Sequence, residues 1–349
     1  MSMAAPPTLD LALESESALR LVQEKFWDAG RGVYSLNLNP DGSRQSSIAY
    51  LWDTGVVLSA YAAVAMSDPA RGARLVDEWL SAHKPYWDVT GPVAGYNTNP
   101  GLSKPDRYYD DNAWVTLALV EAYEATRQVR FLDQAILVHR FVASGEDNLL
   151  GGGIHWREAR DSKNTCANGN AALTALKLFA ATRDASYLDQ ANRWLSWLDR
   201  LVDEDGLYFD HLRLDGSVER TKWSYNSALP LRAYLLRYRL LGQRADLDRA
   251  VRIARAARAH WADADTGAIR CDAAFAHHLA DAWSELDCAA PRGKWSGSAL
   301  RALTHAFVAN RDGHGFYGNR WDSSNVSARR QLLWTASAAR TLWLLRRTR

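Results

Sequence analysis

The chain has 349 residues, 47% of them apolar, enough to bury a large core as one big domain or two ordinary ones. Its 42 Lys and Arg stand against 40 Asp and Glu, a net +2 that excludes the basic footprint of a nucleic-acid binder and brings neutral ligands forward. Cys166, Cys271 and Cys288 lack any CxxC spacing, which argues against a disulfide framework or zinc knuckle and predicts buried apolar thiols.

The N-terminal segment MSMAAPPTLDLALESESALRL has no basic region followed by an apolar run, and no stretch approaches a membrane span. The expectation is a soluble, cytoplasmic chain with no membrane contact, monomeric by default, with residues 1–8 as a disordered tail. Helices are predicted at Leu9 to Trp27, Ile48 to Met66 and Ala70 to His83. A clear repeat follows, in which an apolar helix, a short polar turn and a segment like YLDQA lead into an amphipathic helix. Its copies run from Asn112 to Phe141, Asn168 to Leu198 and Tyr225 to Ala257, aligning Asp133, Asp189 and Asp248. In the last copy Leu247, Ala250, Val251, Ala254, Ala257 and Trp261 form an apolar stripe, with Arg249, Arg252, Arg255 and Arg258 opposite as a solvated face. Weaker helices at Ala273 to Ala289, Gly297 to Asn310 and Ser327 to Leu345 complete twelve.

Pairs with an all-apolar first member and an amphipathic second member predict two concentric rings, an all-α (α/α)6 barrel forming one domain over residues 1–349. An open solenoid is the rival, but no polar caps are found for it. Turns within a pair are short, whereas connections between pairs are long and rich in Gly, Trp, Tyr and Asn: Lys84 to Tyr109, Leu149 to Ala167, Asp203 to Ser224 and Asn310 to Val326. Helices of alternating direction gather these at one end of the barrel, where a site is expected.

One such loop ends in DRYYDDNAW, residues 106–114. Glycoside hydrolysis needs one carboxyl to protonate the leaving oxygen and another to attack or to activate water. Adjacent carboxylates such as Asp110 and Asp111 split their pKa values, because charging one opposes charging the other. Taken alone, an Asp-Asp pair entering a helix is better accounted for by capping. Three segments in register with the pair shift the weight toward chemistry. Gly151-Gly152-Gly153-Ile154-His155-Trp156 brings backbone close and then presents a ring. Lys163-Asn164-Thr165-Cys166-Ala167-Asn168 offers two amides for sugar hydroxyls, and Trp223-Ser224-Tyr225-Asn226 follows one unit later. His277-His278, adjacent on a helix and diverging by about 100°, does not suit a shared metal.

The order YYDD-x-x-W, GGGI-x-W, KN-x-x-AN and W-x-YN resembles glycoside hydrolase family 76, the endo-α-1,6-mannanases and their relatives, over roughly Tyr108 to Ala257. The resemblance implies an (α/α)6 fold and retaining hydrolysis of α-1,6-mannan or mannooligosaccharides without metal or cofactor. It implies Asp110 as nucleophile and Asp111 as general acid/base, with Tyr109, Trp156, Asn168, Trp223, Tyr225 and Asn226 binding substrate. The sequence departs from the family at LWDTGVVLSAY, where Asp53 either binds a sugar hydroxyl or starts a helix, and at the loop DGHGFYGNRWDSSN, which has no counterpart. Three rivals remain on the same barrel. A sugar epimerase would place His155, His211 or His314 deep in the cavity with Asp110 remote. Hydrolysis or transglycosylation of another glycan would keep the carboxylate pair, and a non-catalytic carbohydrate-binding barrel would keep only the aromatic platforms.

Overall fold

A computed structural model describes residues 9–322 and 329–346. The expected tail at residues 1–8, the start of the helix placed at Ser327 and the end of the DGHGFYGNRWDSSN loop lie outside the described residues. Twelve α-helices are present among the described ones: α1 (Leu11–Leu21), α2 (Leu51–Ser67), α3 (Pro69–Ala82), α4 (Tyr109–Thr126), α5 (Val129–Ala143), α6 (Thr165–Thr182), α7 (Ala185–Leu198), α8 (Ser224–Leu241), α9 (Arg244–Trp261), α10 (Ala273–Leu286), α11 (Trp295–Ala309) and α12 (Leu332–Arg346).

The even-numbered helices pack side by side in the order α2, α4, α6, α8, α10, α12, and α12 returns to α2. This ring is closed, so the fold is an (α/α)6 barrel and not a solenoid. Inner helices are buried nearly all round, as in α6, where the run from Thr165 to Leu176 is buried throughout. Outer helices bury one stripe. In α9 that stripe is Leu247, Ala250, Ile253, Ala254, Ala257 and Trp261, so Ile253 takes the place expected of Val251. Nor is its arginine face uniformly solvated. Arg249 pairs with Asp199, and Arg258 covers the Trp295 ring at 4.2 Å. Close helix approach is set by small residues, for a side chain at Gly169 of α6 would meet Leu229 Cβ of α8 at 3.1 Å.

The first helix is the outer partner of the last, and the chain ends lock together through that pairing. Asn37 and Leu38 pair antiparallel with Gln331 and Arg330, Trp343 donates to the Ser15 carbonyl at 3.1 Å, and Arg330 donates to the Pro40 carbonyl at 3.0 Å.

In the lumen, toward the C-terminal ends of the inner helices, lies a buried ionic network. Arg232 of α8 reaches Glu121 of α4 at 2.8 Å and Glu285 of α10 at 2.6 Å. Arg340 of α12 reaches Glu121 at 2.8 Å and Asp281 of α10 at 3.1 Å. Arg340 also donates to the Ser59 carbonyl of α2, and Lys177 of α6 pairs with Glu124 of α4 at 2.7 Å. Each inner helix thus contributes a group. Burial pushes the Glu121 carboxyl up, but Arg340 and Arg232 prevail and hold it at about 2, whereas burial wins at Asp281, which rises to about 6. Removing one member strands a desolvated charge, at a cost of about 3–5 kcal/mol. The Arg340→Met variant is therefore expected to lose stability on that scale, read as a lowered urea midpoint with an unchanged far-UV circular dichroism spectrum in the absence of denaturant.

Candidate active site

The six long loops share a device that the helix periodicity does not reveal. Each opens with an antiparallel bridge: Trp27 with Tyr34, Trp87 with Tyr96, Glu146 with Ile154, Val202 with Tyr208, Ala262 with Ile269, and Arg311 with Tyr317. Between the bridged residues an aspartate side chain accepts a backbone N–H two positions on, at Asp28, Asp88, Asp147, Asp205, Asp263 and Asp312. Recurring Asp-to-Gly spacings after the outer helices were the available signal. The all-α expectation missed these hairpins and the small sheet formed by Ser162–Asn164, His211–Arg213 and Val218–Glu219.

Inner helices are clipped to these bridges at their fourth residue. Asn112 accepts from Tyr96 N at 2.8 Å and donates to Tyr96 O at 3.0 Å. Asn168 does the same to Ile154, at 2.7 and 2.9 Å, and Ser227 accepts from Tyr208 N at 3.2 Å. Two residues earlier the helix presents a face about 200° away. The second residues of four successive inner helices, Trp52, Asp110, Cys166 and Tyr225, line one cavity of about 480 Å³.

This register separates the expected site residues. Asp110, Asp111, Trp156, Trp223 and Tyr225 line the cavity together. Asn168 does not, since it is fully buried and committed to the Ile154 clip and to Asn164 O. Asn226 is also buried, donating to Asp210 Oδ1 at 3.0 Å, and so stands behind the cavity wall. Tyr109 turns outward and packs on Phe141, ring centroids 4.9 Å apart. Asp53 caps its own helix, accepting from Tyr50 N at 3.0 Å. Trp52, Trp114, Phe275, Asp210 and Arg213 also line it without having been expected as site residues, and His211, expected there only on the epimerase reading, joins them. Tyr225 stacks on Phe275 at 4.5 Å, making a broad flat wall. Cys166 and Cys271 are buried as expected, whereas Cys288 is exposed.

The glycine run is organised by a buried ammonium. Lys163 Nζ donates to Asp147 Oδ1 at 2.6 Å and to the carbonyls of Leu149, Gly152 and Gly153 at 2.7–2.9 Å. Gly153, at φ +79°, lies against Trp197, where a Cβ would come within 2.5 Å of the ring. This loop delivers Trp156 to the cavity. Lys163→Met takes the shared donor from the Leu149, Gly152 and Gly153 carbonyls and one of several from Asp147, and at roughly 1–3 kcal/mol per unsatisfied buried group the loop is expected to open. Faster limited proteolysis between residues 147 and 156 than in the wild type is the check.

The two carboxylates sit differently. Asp110 Oδ1 accepts from the Asp111 amide at 2.9 Å, Oδ2 lies 3.3 Å from Cys166 Sγ, and the Trp156 indole also donates to this carboxyl. Burial pushes Asp110 up, and these donors restrain it to about 6. Among the described residues none donates to the Asp111 carboxyl. Burial, then the charges of Asp110, Asp53 and Asp106, push it well above the usual range. Donors that favour the ionised form thus surround Asp110, and among the described residues none serves Asp111.

A larger hollow of about 710 Å³ opens at the far end of the barrel, but it has no aromatic lining and its carboxylates are committed. Glu285 is held by Arg232, Asp281 by Arg340, and Asp287 by the amides of Trp295 and Ser296. The epimerase arrangement is not found either. Asp110 lines the cavity, His155 is bonded to Asp147 at 2.8 Å, His314 is exposed, and His211 reaches the cavity as the partner of Asp210.

A closed helical barrel with paired carboxylates in an aromatic-walled cavity has the architecture of a carbohydrate-active protein. The chain belongs to glycosyl hydrolase family 76, whose sequence profile matches residues 22–291. A family 76 α-mannanase from Bacteroides thetaiotaomicron is 28% identical over 97% of both chains, with a TM-score of 0.89. An inactive variant of the α-1,6-mannanase of Salegentibacter sp., with two consecutive aspartates changed to asparagine and α-1,6-mannotriose bound, matches in fold with a TM-score of 0.77 at 20% identity, over 96% of this chain and 98% of that one. A mannan endo-1,6-α-mannosidase from Candida glabrata is 28% identical over 143 residues, 35% of this chain and 32% of that protein. The chain spans less than half the length of the curated relatives it matches.

The raised Asp111 carboxyl sets a stability test. Its proton is bound more tightly in the folded state, so its favourable contribution is complete below the unfolded value near 3.8 and is lost as pH rises toward the folded value. Asp111→Asn carries no such loss. Its melting temperature is expected to match the wild type near pH 4 and to exceed it increasingly toward pH 8, as followed by scanning calorimetry.

Proposed function

We propose that the chain hydrolyses α-1,6-linked mannan or mannooligosaccharides with retention of anomeric configuration, using Asp110 as nucleophile and Asp111 as general acid/base. The observation that carries this is the split pair: one carboxylate held by three donors, its neighbour with none and raised by three surrounding acidic charges. Ionised Asp110 attacks the anomeric carbon as the glycosidic C–O bond breaks, and Asp111 gives its proton to the leaving oxygen. Asp111, now a carboxylate, then takes a proton from water, whose oxygen displaces Asp110 from the glycosyl ester. Trp52, Trp114, Trp156, Trp223 and Tyr225 provide flat faces for sugar rings and exclude bulk water. The α-1,6 preference is supported by the likeness to the Salegentibacter α-1,6-mannanase and the Candida mannan endo-1,6-α-mannosidase, and an α-mannan substrate more broadly by the likeness to the Bacteroides α-mannanase.

Asp110→Asn and Asp111→Asn are each expected to lower reducing-sugar release from α-1,6-mannotetraose by at least about 10³-fold while the fold persists. Proton NMR of the first product should show the α anomer before mutarotation. Near-native turnover by either variant, or a β anomer appearing first, overturns the assignment.

A further inference from the structure

Cys166 holds on α6 the register position that Asp110 holds on α4, and its sulfur lies 3.3 Å from Asp110 Oδ2. We propose that Cys166 is a positioning residue for the nucleophile, its thiol donating to Oδ2 and setting how tightly that oxygen's electron pair is held. The inference rests on Asp110 being the nucleophile.

Asp110 is gripped from two sides. Its own helix holds Oδ1 through the Asp111 amide, and the neighbouring helix holds Oδ2 through the thiol, so the carboxyl cannot swing about its side-chain bond without losing both contacts. Burial, then the charges of Asp110 and Asp210, push the thiol well above its ordinary range, so it stays protonated and acts as donor, not as a competing nucleophile. The Tyr225 hydroxyl hydrogen-bonds with the same sulfur, so a chain runs from the aromatic wall through Cys166 to the nucleophile.

The choice of a thiol has a chemical consequence. Hydrogen bonds to a carboxylate lower its pKa, but they also stabilise the electron pair that must be given to the anomeric carbon. A hydroxyl at this position donates more strongly and an alanine not at all, so S–H, a weak donor, lies between. Other groups facing the pair are Trp156 and Asp161 from the loop before α6, Asp210, His211 and Arg213 from the loop before α8, Tyr225 of α8 and, acting on Asp111, Asp53 of α2 and Asp106 from the loop before α4. Substitution at 166 leaves these in place and changes one donor.

The test follows Asp110 directly. Wild type, Cys166→Ser and Cys166→Ala are labelled with ¹³C at the aspartate side-chain carboxyls, and the Asp110 resonance is assigned by its loss in Asp110→Asn. Relative to wild type, its titration midpoint should fall by about one unit in Cys166→Ser and rise by a similar amount in Cys166→Ala. The acid limb of kcat/KM on α-1,6-mannotetraose should move in the same directions. Should the alanine variant not fold, the near-isosteric serine carries the test alone. Unmoved midpoints overturn the proposal. Midpoints that move while the acid limb stays fixed uphold the thiol contact and overturn the nucleophile assignment instead.

Discussion

The barrel depends on the ionic network around Glu121, Arg232, Asp281 and Arg340. Six apolar helices could pack side by side in several registers, because apolar contact is non-directional. Paired charges are not so permissive. Arg340 must find Glu121, Asp281 and the Ser59 carbonyl together, and Arg232 must find Glu121 and Glu285, which fixes the rotation of α2, α4, α8, α10 and α12 at once. An apolar replacement of the whole cluster can equal it in stability. It would not equal it in specifying one arrangement, and the cavity needs one arrangement, since its lining comes from equivalent positions on neighbouring helices.

From that fixed rotation the site follows by helix geometry. Residues two apart on a helix point in nearly opposite directions. The fourth residue of α4 or α6 therefore clips a loop while the second enters the cavity. Clipping the loops to the helices in turn fixes Trp156, Asp210 and His211, which no helix carries. Precision at Asp110 comes from this double attachment rather than from Asp110 itself.

Much of this was legible in the sequence, and the failures have a common cause. The alternation of all-apolar and one-sided helices survives in every copy, so ring architecture and the end bearing the site could be read. The pairing of Asp110 with Asp111 could be read as well, along with Trp156, Trp223 and Tyr225. Asn168 was placed in the site and Cys166 among the buried apolar thiols, yet Asn168 clips the Ile154 backbone and Cys166, buried as expected, is the one that lines the cavity. The two lie two residues apart in one motif, and only the rotation of α6 about its axis decides which faces the lumen. That rotation is set by contacts from other helices, such as Gly169 against Leu229, which a linear pattern does not record. Asn226 and Tyr109 are turned from the cavity by the rotation of α8 and α4 in the same way. Asp53 shows another limit, because a carboxyl at the third position of a helix can serve a cap or a ligand, and the backbone N–H of Tyr50 claimed it.

The lumen also has to keep its two charged layers apart. Arginines close to Asp111 would favour its ionised form and remove the proton that the proposed mechanism needs. His277 and His278 lie on α10 between Phe275, which lines the cavity, and Asp281 of the network, and His278 stacks on Trp114 with ring centroids 4.2 Å apart. Burial, then the neighbouring His277 and after it Arg232 and Arg340, drives His278 far below the usual histidine range, while burial lowers His277 to about 3. Both rings are therefore neutral at physiological pH. They form an uncharged layer between a cationic pair already compensated by Glu121, Asp281 and Glu285 and an acidic cavity in which the proposed mechanism requires that Asp111 remain uncompensated. The histidine doublet, unsuited by its geometry to a shared metal, matters here because both rings can be buried without charge.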